Sequence, residues 1–352
     1  MNINDLINHT GEWLKGKGSH ADIVMSSRVR LARNLAKRPF PNRAQKRELE
    51  DIMEEARAAV GKIDLLKKCE FIRLNDIDQI DKQILVERHL MSHEHAANTL
   101  GKALVLSKEE AISIMVNEED HLRMQVMQSG LNLDDTFALV SGIDDELSKY
   151  LDFGYSMHWG YLTACPTNTG TGMRGSVMLH LPALVMTKQI NKVLTAVNKL
   201  SFTSRGFYGE GTQASGNFFQ ISNQVSMGQS EVDIIQNING LIRQIVDQEE
   251  QARQALLVQN RPMLEDKIHR SYGILKSAYL ISSQETVELL SLVRLGIDLG
   301  IIRDLDRRLV NDLFIRIQPA HLQKIEGKKL NASDRDAKRA SVIREKLTPN
   351  GH

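Results

Sequence analysis

Between residues 111 and 127 the chain reads AISIMVNEEDHLRMQVM, and the two ends of this run obey different rules. Ile112, Ile114 and Val116 alternate with other residues, which is the period of a strand. Then Asn117, Glu118, Glu119, Asp120, His121 and Arg123 follow with almost no interruption. Adjacent acids at a strand end repel one another, so their collection there needs a reason. As an isolated motif NEED reads as a helix N-cap, with Asn117 capping and the acids favoured by the helix dipole. A catalytic role is compatible with that reading.

The same patterning predicts an amphipathic helix over residues 42–61 that ends at Gly61. It predicts a short strand over 69–76 and a helix over 84–96 that runs into a polar turn. Residues 165–176, CPTNTGTGMRGS, read as a glycine- and threonine-rich loop. Val177, Leu179 and Leu181 share one face of the strand that follows. Pro182 ends that strand and suits the first turn of a helix over about 182–200. Residues 204–216, SRGFYGEGTQASG, read as a second glycine-rich loop, and 217–223 as a further strand.

After Gly228 the texture changes. Ser230 and Asp233 have capping-box spacing, and a long helix should follow, carrying Val232, Ile235, Ile238, Leu241, Ile242 and Ile245 inward. From there the pattern is helical. The expected fold class is therefore α+β followed by an all-α region, with a soft boundary at 225–260 and a working division into 1–228 and 229–352.

Composition narrows the function classes. A chain of 352 residues with 41% hydrophobic and 25% charged residues is ordinary globular material. A net charge of +1 gives no global field for nucleic acid or membrane. Residues 301–352 carry 12 Lys and Arg against 7 Asp and Glu, too mild a bias to argue nucleic-acid binding. Cys69 and Cys165 are the only cysteines. With no signal-peptide-like or membrane-spanning apolar run, a cytoplasmic protein is expected.

Arginine recurs at strand ends and in the glycine-rich segments: Arg28, Arg30, Arg123, Arg174 and Arg205. Glycine permits close backbone approach to a ligand, and the guanidinium fork matches phosphate oxygens. Several such arginines converging on one cleft would suit a triphosphate. Each alone reads as a solvated surface residue, and neither glycine loop fits GxxxxGK[ST] or GxGxxG. Composition thus suggests a polyphosphate site without establishing one. Cys165 likewise reads either as a small buried hydrophobe or as a reactive thiol beside cations.

Taken together, SSRVR (26–30), NEEDHLR (117–123), CPTNTGTGMRGSV (165–177), RGFYGEGTQ (205–213) and ISN (221–223) resemble the phosphagen (guanidino) kinases in order and spacing. Two departures point to one branch. The helical domain that precedes SxRVR in phosphagen kinases is not found here, and a helical region follows instead. It contains DRDAKRASVIRE (334–345), similar to the RDxxRA phosphoarginine-binding motif. Both features resemble the bacterial protein-arginine kinases of the McsB type.

The resemblance implies an antiparallel sheet flanked by helices, with ATP lying across the sheet. It implies ATP contacts from Ser26, Ser27, Arg28, Val29, Arg30, His89, Arg123, Arg174, Gly175, Ser176, Val177, Met178, Arg205, Gly206, Phe207, Tyr208, Gly209 and Glu210. Met178 stands where the family has a histidine, so adenine packing should differ. Glu119 and Glu210 align with the carboxylates that face the guanidinium, and Cys165 with the active-site cysteine. Arg335, Asp336, Arg339 and Ala340 match the allosteric phosphoarginine site.

A guanidinium is a poor nucleophile because its charge is delocalised and its pKa is high. Paired carboxylates orient the fork, and one accepts the proton as transfer proceeds. The arginines neutralise phosphate charge and hold the groups in line. No compact His and Cys metal site is present, which fits Mg²⁺ held mostly by nucleotide and water.

The implied activity is ATP-dependent phosphorylation of arginine side chains in proteins. Phosphorylation of free arginine or another small guanidino compound, and a non-enzymatic phosphoarginine-binding regulator, remain as alternatives. The resemblance further implies stress-response targets, a Clp-type unfoldase and protease, a zinc-binding activator and a homodimer.

Overall fold

The computed structural model describes residues 3–206 and 215–348. Its centre is one antiparallel sheet of eight strands in the order β2-β3-β4-β5-β1-β8-β10-β9. The strands are β1 (Val24–Arg33), β2 (Cys69–Arg73), β3 (Ala103–Ser107), β4 (Ile112–Val116) and β5 (Leu122–Ser129). A small hairpin, β6 (Tyr155–Ser156) and β7 (Gly160–Tyr161), stands apart. The sheet is completed by β8 (Met173–His180), β9 (Phe202–Gly206) and β10 (Phe218–Asn223). Helices cover it, and beyond β10 the described residues hold helices and no strand.

Two features follow from period-2 alternation. Val29 and Leu31 of β1, Val177 and Leu179 of β8, and Ile221 of β10 are buried in the core. Ser26, Arg28 and Arg30 of β1 and Arg174, Ser176 and Met178 of β8 occupy the alternate positions. The helix Glu231–Gln259 packs against the core face: a Cβ added to Gly175 would lie 2.6 Å from Ile238 Cδ1. A side chain there would oblige the tip of Ile238 to move aside.

Several expectations need correction. The NEED segment does not start a helix; it is the turn between β4 and β5, and Asn117 has φ 59°. Asn117 Nδ2 is occupied by the carbonyls of Leu49 and Gly101 at 2.8 and 2.7 Å. The helix expected over 84–96 is divided between Gln79–Glu87 and a short helix His93–Ala97, with His89 at φ 58° in the break. Residues 182–200 form two helices, Pro182–Met186 and Ile190–Lys199, broken at Lys188 with φ 59°. Strand β2 ends at Arg73, before a short 3-10 turn. Met173–Ser176 and Ser204–Gly206 belong to strands rather than loops. The capping box at Ser230 and Asp233 is present, with Ser230 Oγ accepting from Asp233 N at 3.1 Å. Val232 in that helix is 53% exposed; the inward residue is Ile234. No helix among the described residues is long and apolar enough to cross a membrane.

Buried polar contacts tie the sheet to the C-terminal helices. Arg294 donates to the carbonyls of Ala21 and Asp22 at 2.9 and 2.8 Å, and its Nη1 lies 2.7 Å from His180 Nδ1. Glu87 accepts from the backbone of Ala320 and His321 at the start of helix Pro319–Glu326, at 2.7 and 3.2 Å. His321 Nδ1 donates to Glu87 at 2.7 Å, and its Nε2 faces Arg88 Nη1 at 3.4 Å. Those partners fit a neutral ring, and burial lowers the His321 pKa in the same direction. Arg88 also forms a bidentate pair with Glu110 at 2.7 and 2.6 Å, with both side chains fully buried.

Candidate functional site

Register places the arginines together. Arg30 of β1 lies opposite Arg174 of β8, and Arg28 opposite Ser176. Across β5, Arg28 faces Met127, while Arg123 sits at the Ala32 position. Arg205 of β9 faces Gln220 of β10. One face of five adjacent strands therefore carries Arg28, Arg30, Arg123, Arg174 and Arg205. Hydrogen bonds hold several of them upright. Arg28 donates to Gln220 Oε1 at 2.9 Å and Ser176 Oγ at 3.3 Å. Arg174 donates to Ser222 Oγ at 3.0 Å and Thr203 Oγ1 at 3.1 Å.

The electrostatics show that this face wants an anion. Burial first, and then the charges of Arg123, Arg174 and Arg205, lower the Arg28 pKa to about 9. Burial and the charges of Arg28, Arg123 and Arg174 push Arg30 well down. Arg30 Nε is buried without a hydrogen-bond partner among the described residues. A buried cation with an unsatisfied donor is costly, and phosphate oxygens would relieve both penalties.

The carboxylates at the β4–β5 turn have separate tasks. Glu118 accepts from Arg123 Nη1 at 2.7 Å and from Ser92 Oγ at 2.7 Å. Burial raises its pKa, but the charge and hydrogen bonds of Arg123 outweigh that and bring it to about 2. Asp120 is buried and accepts from Ala164 N at 2.7 Å and Asn34 Nδ2 at 2.6 Å. Glu119 is exposed between them, its pKa raised by partial burial and by the charge of Asp120. It is the member of the cluster that faces solvent.

Asp120 thus anchors the residue before Cys165. Cys165 is half-buried, with Sγ 3.0 Å from Thr167 Oγ1. Ser226 Oγ donates to the carbonyls of Thr167 and Thr169 at 2.9 and 3.0 Å, closing the loop against the end of β10. Gly170 has φ 116°, and a Cβ there would lie 2.5 Å from Ser226 O, so the close approach requires glycine.

A cleft beside Arg28 is lined by Trp13, Ser26, His89, Met127, Met178 and Gln220. Trp13 and His89 pack edge to face, with ring centroids 5.5 Å apart. Burial, helped by the charges of Arg28 and His93, lowers the His89 pKa to about 3, so the ring is neutral near pH 7. Met178 lies on the wall of this cleft. Trp13, Met127 and Gln220 were not anticipated. The strand period would have placed Gln220 on the arginine face, whereas nothing local in the sequence announces Trp13.

Other residues singled out from sequence lie elsewhere. Ser27 Oγ donates to Gly130 O and accepts from Asn132 N, both at 2.9 Å, and Val29, Val177 and Gly175 turn toward the core helix. Gly206 closes β9, while Phe207, Tyr208, Gly209 and Glu210 lie outside the described residues. Arg335, Asp336, Arg339 and Ala340 share the helix Ala332–Leu347. Arg339 is buried and donates to the carbonyls of Ile317 and Ile281 at 3.1 and 2.9 Å, and it also pairs with Asp336. Arg335 Nη1 donates to Leu330 O at 3.0 Å, and Ala340 is buried.

Residues 51–252 match the family described as ATP:guanido phosphotransferase, C-terminal catalytic domain. Residues 261–351 match the protein-arginine kinase McsB C-terminal domain. A protein-arginine kinase of Halothermothrix orenii is 48% identical over 351 residues, covering 99% of each chain. Another, of Bacillus subtilis, is 44% identical over 337 residues, covering 95% of this chain and 93% of the relative. Among solved structures, a lombricine kinase superposes with TM-score 0.59 at 23% identity over 69% of each chain. The duplicated taurocyamine kinase of Schistosoma mansoni, with bound transition state analog components, gives TM-score 0.55 at 25% identity. That match covers 67% of this chain and 33% of the other.

Proposed function

Because this chain belongs to the ATP:guanido phosphotransferase family, and within it to the protein-arginine kinases, we propose that it transfers the γ-phosphoryl group of ATP to arginine side chains of proteins. The observation that carries this reading is the arginine face, with Arg30 Nε buried and without a hydrogen-bond partner among the described residues, next to a turn that presents Glu119.

Arg28, Arg30, Arg123, Arg174 and Arg205 hold the triphosphate and neutralise its charge in the transition state. The cleft of Trp13, His89 and Met178 beside Arg28, about 20 Å³ as it stands, would have to widen to take the base or ribose. Bound Mg²⁺ would supply further neutralisation of the triphosphate charge. Among the described residues no group of three or more His, Cys, Asp or Glu is placed to cage a metal. The Glu119 carboxylate holds two N–H groups of the acceptor guanidinium, aims one nitrogen at the γ-phosphorus and accepts its proton as the N–P bond forms and the bond from the γ-phosphorus to the β,γ-bridging oxygen breaks, releasing ADP. Glu210 supplies the second carboxylate, and Cys165 contacts the guanidinium from the other loop. Glu118 and Asp120 position: one orients Arg123 and the other holds the Cys165 loop.

The wider roles belong to the same reading. The products would mark proteins for a Clp-type unfoldase and protease in stress. A zinc-binding activator and a second copy of the chain are its partners, and the cytoplasm its compartment. The helix bearing Arg335 and Asp336 binds phosphoarginine.

The test is incubation with ATP and either an arginine-rich protein or free arginine, followed by mass spectrometry that preserves acid-labile P–N bonds. Phosphoarginine in the protein is the expected result. Phosphorylation of free arginine alone would replace the protein substrate with a small guanidino compound.

A further inference from the structure

Residues 153–173 contain no Asp, Glu, Lys or Arg, although 25% of the chain is charged. This neutral stretch runs through the β6–β7 hairpin to Cys165 and the glycine loop. The hairpin displays large apolar side chains: Met157 is 94% exposed, Tyr155 57% and Trp159 52%, with Leu162 beside them at 37%. A small surface rarely gathers so many exposed apolar groups without using them.

The hairpin is also held in place. Gly154 N donates to Asn34 O at 2.7 Å, and Asn34 Nδ2 donates to Leu162 O at 3.0 Å. The same Asn34 amide donates to Asp120, which accepts from Ala164 N. Tyr161 N donates to Gly170 O at 2.8 Å, and the Arg33 guanidinium lies 3.4 Å from the centre of the Tyr161 ring. One buried pair, Asn34 and Asp120, therefore fixes the hairpin relative to both Glu119 and Cys165. The base of the hairpin is thereby tied to the same turn that carries Glu119.

We propose that Met157 and Trp159 form a docking surface for an apolar side chain that flanks the target arginine in an extended polypeptide. This rests on the proposed protein-arginine kinase activity and adds a preference among its substrates. The hairpin itself carries no carboxylate, lysine or arginine, and His158, exposed between Met157 and Trp159, is its one basic side chain. A charged flank would lose hydration on approach with little to replace it, while a leucine or phenylalanine would lose contact with water. A rigid aromatic beside an adaptable thioether suits varied apolar partners. Burial of about one such side chain corresponds to a preference on the order of tenfold.

The experiment compares two peptides with a single arginine, flanked by Leu and Phe or by Ser. The parent should show kcat/KM about tenfold higher for the apolar-flanked peptide. Met157→Ser with Trp159→Ser should abolish that preference, while the Ser-flanked rate and KM for ATP move less than about twofold. Trp13 is 2% exposed, so acrylamide quenching of the parent reports on Trp159, and the apolar-flanked peptide should protect it. Equal parental rates on the two peptides overturn the docking surface alone. So does an equal loss on both peptides in the variant, which indicates a structural role. A variant that keeps the preference but changes from dimer to monomer in sedimentation assigns the surface to a second copy of the chain and overturns the proposal. A parent that phosphorylates neither peptide fails the kinase reading itself, and the docking surface falls with it.

Discussion

Arg123 Nη1 donates to Glu118 Oε2 across the β4–β5 turn at 2.7 Å, and this one pair separates the roles of three consecutive acids. Glu118 is held near pKa 2 and is spent on Arg123. Glu119, next to it, is pushed the other way and faces solvent. A strand end can hold this much negative charge because each carboxylate has a different environment.

Glu119→Gln keeps the shape and removes both the charge and the proton acceptor. Phosphoryl transfer should fall by at least about 10²-fold, with nucleotide affinity changed only a few-fold. In the parent, activity should decline as pH falls through the raised Glu119 pKa, so the acid limb lies above the ordinary glutamate range. Isothermal titration with ATP and a pH–rate profile check both statements. A loss of ATP binding as large as the loss of rate would place Glu119 among the phosphate ligands instead.

Arg30→Met tests whether the arginine face is a strained receptor for anions. The wild-type side chain is half-buried among like charges, with Nε buried and unsatisfied among the described residues, so its removal should leave the free protein as stable or more stable, by on the order of 1 kcal/mol. The parent at a hundredfold excess of ATP over Kd should gain about 2.7 kcal/mol of stability, and the variant should lose most of that gain. Thermal melts with and without ATP read both. A destabilised variant with an intact ATP shift would make Arg30 structural.

What the sequence disclosed depended on whether local spacing carried the information. The sequence names Arg28, Arg30 and Arg174 as candidates, but it is the strand register that sets Arg28 and Arg30 on one face with Arg174 opposite Arg30. The capping box at Ser230 was readable because it is a contact across three residues. The NEED turn was misread as a possible helix start because acids after Asn117 look the same in both settings; only Asn34, far away in sequence, shows that Asp120 is a loop anchor. Val232 fell on the wrong side of its helix because adjacent apolar residues leave the stripe ambiguous by one position. Trp13 and the Glu87–His321 contact are long-range and have no local signature.

Buried histidines make the protein acid-sensitive. Burial lowers His89 to about 3 and His95 to about 4, and it lowers His180 and His321 as well. Each is neutral when folded and binds a proton near pH 6.5 when unfolded. Their contribution is therefore intact above about pH 6.5 and is lost as pH falls below it, by up to about 1.4 kcal/mol per pH unit for each histidine. Denaturant melts at pH 7.5 and 5.5 should show a drop of several kcal/mol. His321→Gln should lessen that slope. Equal stability at the two values would mean these rings are charged in the fold.

Asp336 and Arg339 form a pair whose two members have unequal structural duties. Arg339 is buried and its guanidinium serves the carbonyls of Ile317 and Ile281, so it joins three segments of the C-terminal helices. Arg339→Ala leaves those acceptors unpaired and opens a void, which should cost about 2–4 kcal/mol. The Asp336 side chain is 37% exposed and meets Arg339 from the solvent side. Asp336→Ala should cost less than about 1 kcal/mol, since a partly exposed pair is screened. If this helix binds phosphoarginine, the Asp336 carboxylate is the group able to meet the guanidino nitrogens, with Arg335 nearby for the phosphate. The variant should then lose at least about tenfold in affinity for a phosphoarginine peptide while melting and binding ATP like the parent. Coupling between that pocket and catalysis requires the peptide to bind one state of the protein better than another. Any activation of the parent by phosphoarginine should therefore disappear in Asp336→Ala. A variant that binds the peptide as tightly as the parent removes the pocket from this helix and leaves Asp336 as the outer half of a structural ion pair.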